Sequence, residues 1–404
     1  MHQSAEQRDP TSNRIIRIGM LWHSLNSGNL GVGALTLANL AIARSVASEL
    51  GLVPEFVIMA PRDRGTAAIT VADAEVFPID RRSVTSRSGF WYKVGKLDCV
   101  LDIGAGDSFA DIYGPRRFFF LWITKMLAVA RKVPLLLSPQ TIGPFTKPGY
   151  KAAASMVMAK AAVVMARDEA SRNVAKNIAP SANVKLSVDV AFVLPFEDRS
   201  IERNGQRLRI GLNVSGLLWH EAENGQNRFG LSYDYCAFTR ELLTAWSARE
   251  DVEVHLISHA TSNRNSADDD GAIADRMASE FPKTIRVPNF LGPSEAKSYI
   301  SSLDFLAAAR MHACIGAFSA GTPVVPVAYS RKFSGLFGLL GYSHVLPEKG
   351  LSTKEAADFV FEALESRDVL LNDEATGMAR VENLLDTYRQ ELRTLFQSAA
   401  GSRL

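Results

Sequence analysis

The sequence predicts an α/β protein built from two domains, each with a Rossmann-like parallel β-sheet. Short aliphatic runs recur along the chain, helical patterns separate them, and a polar, charged stretch at residues 194–209 divides them into two sets. Continuous apolar runs of this length are typical of strands that are buried on both faces, and helices between them form βαβ units. A chain of 404 residues also favours two domains over one core.

The first set of runs predicts an N-terminal domain at residues 15–197, preceded by a polar, flexible N-terminus at residues 1–14. Its predicted strands lie in RIIRIGML, PEFVIM, DCVLDIG, VPLLLSPQ, AAVVMARD and VKLSVDVAF. The run FFFLWITKMLAVA is too short for a membrane span and contains a lysine, so we interpret it as a buried helix.

The second set predicts a C-terminal domain at residues 208–404. Its strands lie in IGLNVSGLLW, VEVHLIS, TIRVP, DFLAAAR and PVVPVAY. Apolar residues three and four positions apart predict helices over residues 354–396. The polar stretch HEAENGQNRFG, residues 220–230, fits either a mobile lid or a solvated connector, and we favour the connector.

Composition excludes several classes of function. The 45 basic residues are nearly matched by 43 acidic ones, so we expect no nucleic-acid partner. The three cysteines, Cys99, Cys236 and Cys314, are far apart and form no metal-ligand pattern, which favours a reducing, cytoplasmic location without a metal site. The N-terminus lacks the apolar core of a signal peptide. Peripheral association with a membrane would suit an enzyme acting on lipid-linked material, but nothing in the sequence requires it.

Polar residues follow the predicted strands at what should be one edge of each sheet, where open α/β sheets bind ligands. The glycine-rich turns GNLGVGAL and GAGDSF can direct backbone N–H groups at an anion, although neither is a dinucleotide or P-loop motif. Taken singly, such turns are common in loops. Their joint occurrence gives these candidates for ligand contact: Asn29, Gly31, Asp107, Gln140, Arg167, Asp189, Arg310, His312, Ser330, Arg331 and Lys332.

The second domain supplies the positive charge. Arg310 and Lys332 follow neighbouring predicted strands, so a phosphate or carboxylate between them would meet a guanidinium fork and a point charge. His312 opens a predicted helix, where its imidazole tends toward the neutral form that suits a general base. Each residue also has a simpler interpretation: His312 as a packing histidine, and Arg310 as part of an interdomain salt bridge.

The order of several motifs resembles the polysaccharide pyruvyl transferases. These motifs are SGNLGVGALTLANL, GAGDSFADIYG, PQTIGPF, ARDEAS, SVDVAFVLP and ARMHACIGAFSAGTPVVPVAYSRK, and the similarity runs from about Ile18 to Tyr342. The early loop of that family usually reads Gly-Asn-x-Gly-Asp. Here Val32 stands where the aspartate would be, which argues against an acidic role for this loop.

The resemblance implies a GT-B-like pair of domains with the active site in the cleft between them. It also implies transfer of the pyruvyl group of phosphoenolpyruvate to two hydroxyls of a sugar, giving a cyclic ketal and phosphate. The Arg-x-His motif of the family matches Arg310 and His312, which would be catalytic, and its donor-binding basic residue matches Lys332 or Arg331. Arg167, from the first domain, and Ser330, from the second, complete the expected donor site.

Proton transfer is assigned to His312, with Asp189 or Asp107 orienting the sugar. The acceptor side would also include Asn29, Gly31 and Gln140. No cofactor or metal is required beyond phosphoenolpyruvate as co-substrate. A GT-B nucleotide-sugar glycosyltransferase is the main alternative, because the same architecture serves both reactions. A non-catalytic sugar-binding protein of the same fold is a third interpretation.

Overall fold

The computed structural model describes residues 14–61, 69–106, 109–262 and 266–401. Within them, two separate parallel sheets confirm the predicted α/β class. The first sheet has the order β3-β2-β1-β4-β5-β6-β7. Its strands are β1 Arg14–Leu21, β2 Leu52–Ala60, β3 Ala74–Pro78, β4 Cys99–Asp102, β5 Leu135–Gln140, β6 Val163–Ala166 and β7 Val184–Leu186.

The second sheet has the order β10-β9-β8-β11-β12. Its strands are β8 Leu208–Asn213, β9 Val252–Leu256, β10 Ile285–Arg286, β11 Phe305–Ala308 and β12 Val324–Pro326. Every strand of both sheets except β3 overlaps a predicted run, although β2 and β8 each begin two residues before theirs. The edge strand β3, with the sequence AEVFP, was missed because Glu75 and Pro78 interrupt its apolar character and its residues are only partly buried.

Helices connect the strands and cover the sheets. They are α1 Leu30–Glu49, α2 Arg81–Thr85, α3 Phe90–Val94, α4 Pro115–Ala130, α5 Pro148–Lys160, α6 Glu169–Ile178, α7 Gly216–Glu223, α8 Tyr235–Ser247, α9 Asp270–Glu280, α10 Pro293–Ile300, α11 Met311–Ser319, α12 Arg331–Leu340, α13 Thr353–Glu365 and α14 Arg367–Gly401. α1 is long and apolar enough to span a bilayer by length and composition, but 72% of its apolar window is buried inside the protein, as in a core helix.

The stretch at 220–230 is part helix and part turn. Its first residues, through Glu223, complete α7, and the remainder forms turns. The apolar run at 118–130 is helical, as predicted, and lies in α4. Burial is one-sided, because Phe118 and Leu121 face the sheet whereas Phe119 is 52% exposed.

The last helix, α14, joins the two domains. The sequence assigns it to the second domain, yet the hydroxyl of Tyr388 donates to Asn39 Oδ1 at 2.7 Å in the first. Further along, Arg393 pairs with Glu49 at the end of α1. Its earlier part contacts the second domain, where Glu374 Oε1 accepts from the backbone N–H of Val324 at 2.9 Å. The helix is long enough to pack against strands of the first sheet and against helices α11 and α12 of the second domain, which sequence periodicity alone does not reveal.

Strand order determines where each sheet can bind a ligand. In the first sheet the chain moves outward from β1 through β2 and β3, then returns to the other side of β1 with β4. In the second sheet it moves outward from β8 through β9 and β10 and returns with β11. Each reversal is a topological switch point, the usual ligand position in open parallel sheets.

Candidate active site

The two switch points contribute to one cleft. Its pocket has a volume of about 100 Å³ and is lined from the first domain by Asn29, Val32, Gly106 and Arg167 and from the second by His259, Arg310, Met311, His312, Tyr329, Ser330, Lys332 and Phe333. Six of the eleven candidates from the sequence therefore line one pocket: Asn29, Arg167, Arg310, His312, Ser330 and Lys332.

The loops after β1 and β9 close one side of this cleft by pairing with each other. Asn29 and Ala260 form an isolated antiparallel bridge. The N–H of Leu30 donates to the His259 carbonyl at 3.1 Å, and the N–H of Thr261 donates to the Gly28 carbonyl at 2.9 Å. Asn29 also caps α1, because its side-chain oxygen accepts from the Gly31 N–H at 3.0 Å. Asn29 therefore positions both the helix and the domain contact.

Arg310 is a fixed, ion-paired group at the floor of the cleft. Its Nε lies 3.1 and 3.2 Å from the two carboxylate oxygens of Asp270, and its Nη2 lies 2.7 Å from Asp270 and 2.6 Å from Asp268. Burial alone would lower the pKa of Arg310, but the two carboxylates raise it above its usual value. The guanidinium fork that the sequence assigns to a ligand anion is thus held by Asp270 through Nε and Nη2.

Asp270 is fully buried and organises the switch point of the second domain. Besides the guanidinium, it accepts hydrogen bonds from Asn213 Nδ2 and from the backbone N–H groups of Gly216, His259 and Ala260, at 3.0–3.1 Å. With this many donors its charge is well satisfied, and removing it would leave the buried Arg310 guanidinium without its main partner.

His312 reaches from the second domain toward an aspartate of the first. It is the second residue of α11, and its Nε2 lies 3.7 Å from Asp189 Oδ2. Behind the ring lies Gly31, where a Cβ would come within 2.2 Å of His312 Nδ1. The candidate role of Gly31 is therefore steric, because only a residue without a side chain lets α1 pack this closely on the imidazole.

Asp189 also pairs with Arg167. The same oxygen, Oδ2, accepts from Arg167 Nη1 at 2.7 Å, and Oδ1 accepts from the Ala191 N–H at 3.0 Å. Asp189 is fully buried and Arg167 is 4% exposed. The Arg167–Asp189 pair of the first domain thus lies beside the His312 imidazole of the second domain.

The residues that open α12 divide between the cleft and the domain contact. Ser330 and Lys332 line the pocket, and Lys332 Nζ donates to the hydroxyl of Tyr113 in the first domain at 3.4 Å. Arg331 instead donates from Nη2 to the carbonyl of Gly143 at 3.1 Å. Of the two candidates for the second donor-binding cation, Lys332 is the one in the pocket.

Gln140 belongs to a buried polar network beneath the first switch point. Its amide nitrogen donates to the Asp102 carbonyl at 3.0 Å and to Asp102 Oδ1 at 3.2 Å, and Asp102 pairs with Lys125 at 3.0 Å. Burial raises the pKa of Asp102 and lowers that of Lys125. Gln140 is not among the residues that line the cleft pocket, and Asp107 lies outside the described residues.

Sequence reasoning did not select Asp268, Asp270 or Asn213, which hold Arg310 in place. It also did not select His259, which lines the pocket. The acidic run ADDDG, residues 267–271 at the start of α9, was the available signal for the two aspartates. Burial, together with a smaller effect of the nearby His312, lowers the pKa of His259 from 6.5 to about 3. Its imidazole is therefore neutral at neutral pH, unlike a donor-binding cation.

Comparisons with known proteins agree with this architecture. The sequence model of the family described as "Polysaccharide pyruvyl transferase" matches residues 48–331. The amylovoran biosynthesis protein AmsJ of Erwinia amylovora is 21% identical over 312 residues, which cover 74% of this chain and 68% of that protein.

Solved structures with this fold include a putative UDP-N-acetylglucosamine 2-epimerase from Listeria monocytogenes, with a TM-score of 0.54 and 10% identity over 88% of this chain and 90% of that one. They also include the α,α-trehalose 6-phosphate synthase of Burkholderia multivorans, with a TM-score of 0.52 and 13% identity over 97% and 98%. At these identities the likeness is one of fold, and the fold is GT-B-like. Because the family match covers well over half of the sequence, the chain belongs to the polysaccharide pyruvyl transferase family and is a transferase of polysaccharide biosynthesis.

Proposed function

We propose that this protein transfers the pyruvyl group of phosphoenolpyruvate to two hydroxyls of a sugar, forming a cyclic ketal and releasing phosphate. The observation that carries the proposal is the meeting of His312 and Asp189 across the cleft, 3.7 Å apart, with the cations Arg167, Arg310 and Lys332 lining the same pocket. A small dianionic or trianionic donor suits such a pocket better than a bulky neutral one.

The donor would bind on the second-domain side. Lys332 offers a point charge, and both α11 and α12 begin at the cleft, so their N-termini favour an anion there. Arg310 contributes mainly as a guanidinium already fixed by Asp270 and Asp268, which removes the entropic cost of ordering it. Because these carboxylates offset its charge, Lys332 becomes the main attraction for the phosphate.

The reaction balances without an added oxidant or reductant. A proton adds to the terminal methylene of the donor, which makes the central carbon electrophilic. One sugar hydroxyl attacks that carbon and loses its proton, and the second hydroxyl attacks as the carbon–oxygen bond to phosphate breaks. Of the two protons that the hydroxyls lose, one balances the proton taken up by the methylene and the other leaves with phosphate.

His312 is the group that we assign to these proton transfers. Its Nε2 faces Asp189, whose carboxylate would stabilise an imidazolium as it forms. Arg167 Nη1 donates to the same oxygen of that carboxylate, Oδ2, and helps to fix its orientation. The sugar would approach from the first-domain side, along the loop of Asn29.

The proposal is tested by ligand binding and by product analysis. Phosphoenolpyruvate should raise the melting temperature, whereas UDP- and GDP-sugars should not. Incubation with phosphoenolpyruvate and a panel of sugars should release phosphate with one acceptor, and NMR should show the ketal carbon. Stabilisation by a nucleotide sugar without stabilisation by phosphoenolpyruvate would instead establish the glycosyltransferase alternative. Stabilisation by a sugar alone, with no phosphate release from any pair, would favour a binding protein.

A further inference from the structure

One stretch of the chain has a charge balance unlike the rest. Residues 112–167 contain nine Lys and Arg and not one Asp or Glu, whereas the whole chain has 45 basic and 43 acidic residues. Two of the nine, Lys125 and Arg167, are buried in ion pairs. The other seven are Arg116, Arg117, Arg131, Lys132, Lys147, Lys151 and Lys160. All seven lie in or directly beside α4 and α5, so these helices form a positively charged face of the first domain.

The same face exposes large apolar side chains. Ile112, Tyr113, Phe119 and Met156 are 53%, 39%, 52% and 49% exposed. Between α4 and α5 lies an open groove of about 410 Å³, lined by Pro115, Phe118, Phe119, Trp122, Lys147, Gly149, Tyr150 and Ala153. Single exposed apolar residues are ordinary, but an open groove lined mostly by aromatic and aliphatic side chains marks an interaction surface.

This face adjoins the mouth of the active-site cleft. Tyr113, which precedes α4, accepts the hydrogen bond of Lys332, and the Arg117 guanidinium lies 4.9 Å from the centre of the Tyr113 ring. The strands of the first sheet end at the cleft, so the N-terminal ends of α4 and α5 and their cations Arg116 and Lys147 lie at the cleft end of the face.

We propose that the α4–α5 face binds the surface of a membrane that contains anionic lipids. Seven cations in a stretch of sequence without a carboxylate, together with exposed aromatic side chains, match that partner, because aromatic rings enter the headgroup boundary while lysines and arginines attract the lipid phosphates. A soluble acidic protein would not account for the open aromatic groove. A second copy of the same face would bring its cations against like charges.

Membrane binding follows from surface chemistry and does not depend on the donor or the reaction proposed above. Where the proposed reaction also holds, the position of the face places the cleft mouth beside the bilayer, within reach of a sugar attached to a lipid.

Vesicle sedimentation tests the proposal. The full chain should sediment with vesicles of equal parts phosphatidylcholine and phosphatidylglycerol and remain in solution with phosphatidylcholine alone. The variant Phe119→Ser and the double variant Arg116→Glu, Lys147→Glu should each partition at least about tenfold more weakly. The matched controls are Leu291→Ser, at a position 77% exposed in the second domain, and Lys349→Glu, both of which should bind as the wild type does. Melting temperatures within a few degrees of the wild type would show that all variants fold.

Three outcomes would overturn the proposal. One is a failure of the wild type to sediment with the anionic vesicles. Another is equal binding by the Phe119 variant, the charge-reversed variant and the controls. The third is a dimer in solution that Phe119→Ser dissociates while vesicle binding is unchanged, which would make the face a contact between two copies of the chain.

Discussion

Replacing Gly31 by alanine tests whether the close approach of α1 holds the imidazole of His312. The new Cβ would lie 2.2 Å from Nδ1, 2.7 Å from Cγ and 2.9 Å from Cε1, whereas ordinary contact begins at 3.4 Å. The ring or the helix must therefore retreat by about 1 Å. Because His312 Nε2 already stands 3.7 Å from Asp189 Oδ2, a shift of this size changes the contact between the imidazole and that carboxylate.

A displacement of 1 Å at a reacting group can lower the rate by about 10²-fold, which corresponds to about 3 kcal/mol in the activation free energy. We expect kcat for phosphate release to fall by that order while the KM for the donor changes much less. Stability should fall by no more than about 2 kcal/mol, because overpacking costs about 1–3 kcal/mol and alanine recovers about 1 kcal/mol of helix propensity.

Steady-state phosphate release and urea unfolding measure the two effects separately. The matched control is Gly338→Ala in α12, where a Cβ meets no atom within 4 Å and only helix propensity changes. A Gly31→Ala enzyme with wild-type kcat would refute the reasoning, and so would an equal loss of kcat in the Gly338 variant.

Three further predictions follow from the buried charges and histidines. His312→Ala should lower kcat by at least about 10²-fold with little change in donor affinity by calorimetry. The control His344→Ala, at a partly buried position paired with Asp373, should leave kcat unchanged. Near-wild-type phosphate release by His312→Ala would show that His312 does not transfer the protons. Asp270→Ala leaves a buried guanidinium without its main partner and should lower the free energy of unfolding by about 3–5 kcal/mol in urea, and a loss below about 1 kcal/mol would contradict the ion-pair assignment. Burial lowers the folded-state pKa of both His23 and His259 from 6.5 to about 3, so the unfolded chain binds more protons than the folded chain below about pH 6.5. The free energy of unfolding should therefore fall by about 2 kcal/mol per histidine between pH 7 and pH 5. His23→Gln, provided it folds, should remove the part of this pH dependence that comes from His23.

Much of the fold could be predicted because its signals are local. Fully buried parallel strands need continuous aliphatic runs, and 11 of the 12 strands overlap runs that the sequence marks. The start of α11 could also be predicted, since the strand before Arg310 ends in apolar residues and a helical pattern follows. The exception, β3, is an edge strand whose partly exposed residues need no apolar run.

The candidate site was only partly predictable, because a position at a sheet edge does not determine the hydrogen-bond partners of a side chain. Arg310 and Arg167 follow strand ends as expected, yet each donates hydrogen bonds to a buried aspartate of the protein. Gln140 also follows a strand end, and it turns into the network around Asp102 and Lys125. These partners lie tens of residues away along the chain, so no local pattern identifies them.

The sequence alone therefore determined the class of fold, the set of strand ends and the resemblance to the pyruvyl transferases, since apolar periodicity and motif order are properties of the chain itself. Tertiary structure decided the rest. It set Gly31 against His312, paired Asp189 with Arg167, and bound Arg310 to Asp270. The physical reason is that buried charges must find partners, and which partners are within reach depends on how two sheets and their switch points meet across the cleft.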